Sequence, residues 1–140
     1  MGRVYYVAAA FAVLSGCSAE TNDFTSVLGD KVFLRDNGVI EVAKRPGSAN
    51  HEGWDYWCGA ADYARRAKGA DWDTPVYVYR GYGEGPEGVV GQTVQFTLDK
   101  ASLSQPPSVM QRDEIGAFKI GHFMTVKDGT GICSRWLDRA

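Results

Sequence analysis

The chain has 140 residues, of which 44% are hydrophobic and 23% charged, and its formal net charge at pH 7 is -2. This length allows one domain, and the composition is typical of a globular protein rather than a disordered one. The nearly balanced charge gives no basic footprint, so nucleic acid is excluded from the expected partners.

The first 17 residues have the layout of a bacterial export signal. Arg3 supplies a positive charge, residues 4–14 form an uncharged and mostly apolar run, and small residues follow. The apolar run is too short for a transmembrane helix, which needs about 20 residues. It ends in LSGC at residues 14–17, which resembles the lipobox of bacterial lipoproteins.

The lipobox resemblance implies that residues 1–16 are removed as a signal peptide and that Cys17 carries acyl chains. Two or more chains anchor a protein stably, because each buried CH₂ contributes roughly 0.8 kcal/mol. Ser18, in place of Asp, resembles lipoproteins that are passed on to the outer membrane, where this protein would face the periplasm. An ordinary signal peptide and a soluble periplasmic protein are the alternative.

The cysteine count favours one disulfide. If Cys17 carries lipid, Cys58 and Cys133 remain as an even pair in an oxidising compartment. We therefore expect a bridge between Cys58 and Cys133. Two free thiols, packed as small hydrophobic side chains, are the alternative.

After the lipid-attachment site the chain is expected to enter its domain through a hairpin. Residues 17–29 are interpreted as the lipidated cysteine and a polar tether, and residues 30–140 as a single domain. Strands are predicted at Lys31–Arg35 and Val39–Lys44. They flank Asn37-Gly38, which is the strongest short-range signal for a β-hairpin.

The clearest helical period runs from about residue 52 to 68. At 100° per residue its apolar face comprises Trp54, Trp57, Cys58, Ala61 and Ala64. Asp55, Asp62 and Arg66 fall on the opposite side, where Asp62 and Arg66 form a favourable i,i+4 pair. Gly69 follows at the position where a left-handed residue ends many helices. This helix is expected to be what the sheet packs on.

Further strands are predicted where apolar and polar residues alternate, namely at Val76–Arg80, Thr93–Leu98, His122–Lys127 and, more weakly, Ile115–Ile120. The glycine-rich residues 81–91 are expected to form an exposed, mobile hairpin loop. The last residues should bring Cys133 and Trp136 back to the core. This order predicts an α+β fold, with a mainly antiparallel sheet of about five to six strands and one helix packed on one face.

No segment carries a complete catalytic or metal-binding motif. The stretch HEGWD at residues 51–55 lacks the second histidine of the zinc motif H-E-x-x-H, and residues 81–91 lack the lysine of a phosphate-binding loop. Asp71 and Asp73 lack the other positions of a calcium loop. We therefore expect no catalytic residue, no metal and no cofactor.

Aromatic side chains are the remaining candidate for function. Tyr77, Tyr79, Arg80 and Tyr82 are predicted as a possible ligand or partner surface. Tyrosine suits such a surface because it combines an apolar ring with a polar hydroxyl. The alternative is an ordinary, half-covered sheet face with common β-forming residues.

Beyond the lipobox, the segments YWCGAADYA, VYVYR and VQFTLD are similar to those of small exported bacterial proteins of unassigned function, a resemblance that implies no activity. We therefore expect a non-catalytic binding or accessory module of the cell envelope. Its lipid anchor would hold it on the membrane, and an envelope protein or a glycan would be its partner. The alternative is a small periplasmic hydrolase that acts on cell-wall or carbohydrate material.

Overall fold

The computed structural model describes residues 23–47 and 53–138, which form one seven-stranded sheet and two helices. The strands are β1 (Asp23–Thr25), β2 (Lys31–Leu34), β3 (Ile40–Ala43), β4 (Pro75–Glu84), β5 (Gln92–Thr97), β6 (Ser108–Val109) and β7 (His122–Thr125). The helices are α1 (Trp54–Arg66) and α2 (Val126–Leu137). The α+β prediction is confirmed, but the sheet has seven strands rather than five to six and there are two helices rather than one.

The sheet has the strand order β1-β2-β3-β5-β4-β7-β6 and is antiparallel except for the pair β6–β7. The predicted hairpin between β2 and β3 is confirmed. Gly38 adopts a φ of 78°, and its N–H donates to the Arg35 carbonyl. Strand β5 lies between β3 and β4 in the middle of the sheet. The side chains of Val42, Val94 and Phe96 in these central strands are buried beneath the helices.

Helix α1 lies on the sheet as predicted, and Trp57, in its first turn, is fully buried. Gly69 has a φ of 66°, and its N–H donates to the Arg65 carbonyl. Asp55 and Asp62, which the helical period places opposite the apolar face, are nevertheless both buried. The turn after β1 covers this side of the helix, and the Val27 N–H donates to Asp62 Oδ2 at 2.9 Å.

The predicted strand His122–Lys127 is too long, because the observed strand β7 ends at Thr125. The Thr125 side chain accepts a hydrogen bond from the Asp128 N–H and so starts α2. The predicted disulfide is present and joins Cys58 of α1 to Cys133 of α2. Cys133 belongs to the core and Trp136 packs against it, as expected.

The predicted strand Ile115–Ile120 is wrong. This segment forms turns, and Phe118 takes a left-handed φ of 44°. The apolar residues that alternate with polar ones in this segment belong to a loop, from which single side chains reach the core. The Phe118 ring is 2% exposed and lies 5.9 Å from the ring of Trp57.

Two segments expected to be irregular belong to the sheet. Strand β4 continues to Glu84, so the first four residues of the glycine-rich stretch 81–91 belong to the sheet, and Gly83 and Glu84 pair with β5. Register irregularities lie on both sides of Arg80. Strand β1 pairs with β2, so residues 23–29 of the expected tether are part of the fold. Short 3₁₀ turns occur at Lys100–Ser102 and Arg112–Glu114.

The export segment with Cys17 lies outside the described residues, as do His51 and Glu52 of the HEGWD stretch. Within residues 23–47 and 53–138, neither helix is long and apolar enough to span a membrane.

Candidate functional site

The four residues predicted as a surface do not form one. Tyr77 is only 8% exposed and packs against Phe123, with the ring centroids 5.4 Å apart. Tyr82 is exposed, but its ring contacts Tyr56 of α1 and therefore lies on the helix side of the sheet. Arg80 points to the opposite side of the sheet, and Tyr79 is half-buried.

Arg80 instead belongs to a network on the sheet face away from the helices. Its Nη2 donates to Glu41 Oε1 at 3.3 Å, and Thr93 Oγ1 donates to the same oxygen at 2.6 Å. Arg35 Nε lies 3.2 Å from Glu41 Oε2 in an ion-pair contact. The Glu41 side chain is 1% exposed, so two arginines neutralise a carboxylate that solvent does not reach. This network ties the turn after β2 to β3, β4 and β5.

A second group of buried charges lies where β3 leads towards α1. Asp30 Oδ1 accepts a hydrogen bond from the Arg45 N–H at 2.7 Å, and Lys44 Nζ lies 3.7 Å from Asp55 Oδ2. Asp30 Oδ2 and Asp55 Oδ1 have no hydrogen-bond partner. Burial, with a smaller contribution from the charge of Asp55, raises the pKa of Asp30 to about 6. Since Asp30 and Asp55 are 1% and 3% exposed, a substrate does not reach them.

A cleft beside the start of α1 is the better candidate for a functional site. Its volume is about 270 Å³, and its lining residues are Trp54, Arg112, Asp113, Ile115 and Gly116. Trp54 is half-buried, whereas Arg112 and Asp113 are exposed. The cleft, here called the Trp54 cleft, thus combines a partly exposed tryptophan with a hydrogen-bond donor and an acceptor.

One wall of the Trp54 cleft is held by Glu114. Its Oε2 accepts a hydrogen bond from the Gln111 N–H at 2.9 Å, and its Oε1 accepts one from Lys119 Nζ at 2.6 Å. The hydrogen bond from Lys119, followed by that from Gln111, holds the pKa of Glu114 below its ordinary value. The carboxylate therefore joins the two ends of the segment that carries Asp113 and Ile115.

The segment that carries Asp113 and Ile115 is also fixed to the protein core. Trp57 Nε1 donates to the Ile115 carbonyl at 2.9 Å. Phe118 packs on Trp57, and a Cβ added at Gly53 would lie 2.7 Å from the Phe118 ring, so this position requires glycine. A left-handed aromatic residue costs about 1–3 kcal/mol, and such strain collects at functional sites. The packing around Phe118 sustains that strain.

His122 lies behind this wall and is 5% exposed. Its Nε2 is 3.8 Å from Glu114 Oε2, and its Nδ1 has no hydrogen-bond partner. The side chains known to line the Trp54 cleft include an aromatic ring and one charge of each sign. Such groups are suited to binding a ligand. Cys58 is held in a disulfide and therefore has no free thiol.

A wider hollow of about 570 Å³ lies at the turn between β2 and β3, where it is lined by Leu34, Arg35, Asp36 and Asn37. These lining residues include no aromatic side chain, and three of the four are polar. In residues 23–47 and 53–138, no group of three or more His, Cys, Asp and Glu side chains is placed to hold a metal ion.

No protein-family model, no curated protein and no solved structure matches this chain, so no relative supplies a function for it.

The sequence pattern places Trp54 correctly but does not show that it borders a cleft. Trp54 shares a helical face with Trp57 and packs against the core as expected, and its place in the first turn of α1 leaves it partly exposed. Arg112 and Asp113 stand in an ordinary polar run. No sequence signal shows that this run faces Trp54, because the contact depends on how the loop that follows β6 packs against α1.

Proposed function

We propose that the protein is a lipid-anchored binding module of the bacterial cell envelope and that the Trp54 cleft is its ligand site. The observation that carries this proposal is the partly exposed Trp54 in a hollow that also holds Arg112 and Asp113. Ligand sites in proteins typically combine an apolar surface with a few convergent polar groups. A rigid wall, tied at Glu114 and Ile115, adds preorganisation, which reduces the cost of binding.

The proposed compartment is the periplasmic face of the outer membrane, reached through the lipobox at Cys17. The disulfide between Cys58 and Cys133 supports export, because such bonds persist in oxidising compartments and are rare in the cytosol. Ser18 favours the outer over the inner membrane. The lipid anchor would then hold the Trp54 cleft near the envelope components that it binds.

A binding role is favoured over hydrolysis by the positions of the carboxyl groups. A glycoside hydrolase needs an acid and a second carboxylate that both reach the substrate. Asp30 has a raised pKa of about 6, which would suit a general acid, but it is sealed from solvent together with Asp55. Asp113 does reach the Trp54 cleft, and there its neighbour is the cation Arg112.

The binding role is tested by site-specific photocrosslinking of the full-length chain in cells. A photoreactive residue replaces Arg112 at the rim of the Trp54 cleft or, as a control, Asp36 at the exposed turn between β2 and β3. We expect an envelope adduct from position 112 that disappears when Trp54→Ala is added. Equal adducts from both positions, or an adduct that persists with Trp54→Ala, would contradict the assignment of the site.

The anchor is tested separately with Cys17→Ser. This substitution removes the thiol that accepts lipid, so the protein should lose the mass of the acyl chains and leave the outer-membrane fraction. An unchanged mass and an unchanged membrane fraction would refute lipidation. Cys58 and Cys133 remain intact in this variant, so the fold is the same in both arms of the test.

A further inference from the structure

Among the residues that the structure describes, the charges around the Trp54 cleft nearly cancel. Arg112 and Asp113 stand side by side on its wall, and Glu114 is paired with Lys119 at 2.6 Å. A further cation of the described part of the chain, Arg135, lies against the indole of Trp54, with its guanidinium carbon 5.7 Å from the ring centroid. An ion of either sign therefore meets both attraction and repulsion, and the site does not select a charged ligand by Coulomb energy.

The Trp54 cleft is also unsuited to a purely apolar ligand. Covering Arg112 and Asp113 with hydrocarbon would remove their water without replacing its hydrogen bonds, which costs free energy for each polar group. A suitable ligand must therefore offer an apolar face to Trp54. It must also carry groups along its edge that donate to Asp113 and accept from Arg112.

The volume of the Trp54 cleft limits the size of its ligand. Sites for drug-sized ligands span about 300–1,000 Å³, and the Trp54 cleft, at about 270 Å³, lies just below that range. Gly116 has no side chain and leaves room at the wall. One six-membered ring with its substituents is a ligand of suitable size.

We propose that the Trp54 cleft binds a neutral saccharide unit of a glycan, an assignment that rests on the binding role proposed above. A pyranose ring has a face of C–H groups that can lie on the indole of Trp54. Its hydroxyl groups both donate and accept, so a single ring can donate to the Asp113 carboxylate and accept from the Arg112 guanidinium.

The test is fluorine NMR of the full, lipidated chain in detergent, labelled with 5-fluorotryptophan. The four tryptophans give separate resonances, and the Trp54 resonance is assigned by its absence from Trp54→Phe. The probes are triacetylchitotriose and cellotriose, compared with a capped trialanine peptide and with inorganic sulfate. We expect the trisaccharides to shift the Trp54 resonance and the peptide and sulfate to leave it in place.

Two variants separate the Trp54 cleft from an exposed indole elsewhere, and because both lack the Trp54 resonance, their affinity for the trisaccharides is measured by isothermal titration calorimetry. Trp54→Ala should weaken trisaccharide binding by about tenfold, which corresponds to about 1.4 kcal/mol. Trp54→Phe keeps an aromatic ring and should retain affinity within about threefold of wild type. The matched control is Trp72→Ala, because Trp72 is an exposed tryptophan that also carries an arginine, Arg65, over its ring at 4.4 Å. Its removal should leave binding unchanged.

Three results would overturn the saccharide assignment. The first is a Trp54 resonance that no trisaccharide moves at millimolar concentration. The second is a shift produced only by the peptide or by sulfate, which would leave the binding role standing and replace its ligand class. The third is an equal loss of affinity with Trp54→Ala and Trp72→Ala. Failure of the crosslinking test at position 112 would refute the binding role itself, so the two proposals fail in different experiments.

Discussion

The sulfur of Cys58 in α1 is bonded to the sulfur of Cys133 in α2, across 75 residues of chain. Both cysteines are buried in the same core cluster as Trp57. The bond therefore joins the first helix to the last one and closes most of the domain into a single loop. Helix α2 follows directly after β7, and β7 pairs with β4 and β6.

Removing this bond should destabilise the domain strongly. Chain-entropy arguments give about 4 kcal/mol for a loop of 75 residues, so the double variant Cys58→Ala with Cys133→Ala should lose a free energy of unfolding of that order. Urea denaturation is the measurement, and reduction of the wild type should give a similar loss. A loss below about 1 kcal/mol would contradict this account of the bridge.

Two glycines of α2 should respond in opposite ways to alanine. A Cβ at Gly129 would collide with the Cβ of Ala61 on α1, whereas a Cβ at Gly131 meets nothing within 4 Å. We expect Gly129→Ala to destabilise the fold by about 1–3 kcal/mol through overpacking. Gly131→Ala should stabilise it by about 0.5–1 kcal/mol, because glycine is unfavourable inside a helix. Thermal denaturation of both variants checks the difference, and the same sign for both would refute it.

Asp30 should make stability depend on pH. Its pKa is raised to about 6 from 3.8, so the folded state holds the proton more tightly than the unfolded state. Its contribution to stability is therefore fully present below pH 3.8 and is lost as the pH rises through about 6. The loss corresponds to about 3 kcal/mol at most.

The variant Asp30→Asn isolates this contribution. Asparagine keeps an oxygen that can accept from the Arg45 N–H but carries no charge. We expect the variant to be more stable than wild type at pH 7.5 and to show a smaller loss between pH 4 and pH 7. Urea denaturation across this range is the measurement, with Asp36→Asn at the exposed turn as control. Parallel pH curves for wild type and Asp30→Asn would show that burial of Asp30 has no such effect.

The network at Glu41 should respond more to the loss of one partner than to the loss of both. Arg80→Leu leaves the buried Glu41 carboxylate with less compensation and should cost about 2 kcal/mol, an amount reduced because Arg80 is 37% exposed. Adding Glu41→Leu removes the buried charge and should recover part of this loss. Chemical denaturation of both single variants and the double variant gives the coupling. If the loss of stability in the double variant equals the sum of the losses in the two single variants, Arg80 and Glu41 do not interact as described.

Glu114 should control the order of the wall of the Trp54 cleft. Glu114→Ala removes the acceptor of the Gln111 N–H, so hydrogen exchange at this amide should become faster. In the wild type the protection of this amide, relative to its intrinsic exchange rate, should fall only as the pH falls below 4.5 and through the lowered pKa of Glu114, because the carboxylate form makes these bonds. Glu87→Ala, at an exposed position of the β4–β5 connection, is the control. An unchanged rate at Gln111 would show that another group orders this wall.

Local signals in the sequence predict part of this fold correctly. The apolar period centred on Trp57 and the glycine at 69 predict α1, because both depend on contacts within a few turns of chain. Alternation predicts β5 and the core of β4, and Asn37-Gly38 predicts the hairpin between β2 and β3. The parity of the cysteines predicts the bridge. Each of these features follows from spacing along the chain.

The tertiary structure decides the features whose partners are distant in sequence. Helix α2 contains Gly129 and Gly131, which lower its intrinsic propensity, and contact with Ala61 and the bond to Cys58 support it. Phe118 leaves the strand pattern because the cavity beside Trp57 accepts its ring.

The Trp54 cleft is also formed by residues that are distant in sequence. A helix N-terminus and a 3₁₀ turn nearly sixty residues further along the chain form it together, and Trp54 and Arg112 meet there only after both have packed on the same core. The sequence by itself determined the α+β class, the first helix, the central strands and the disulfide, because short-range periodicity and cysteine parity encode them. Only the tertiary structure decided the second helix, the neutralised Glu41 and the candidate binding site, because burial and charge pairing depend on which distant segments share one core.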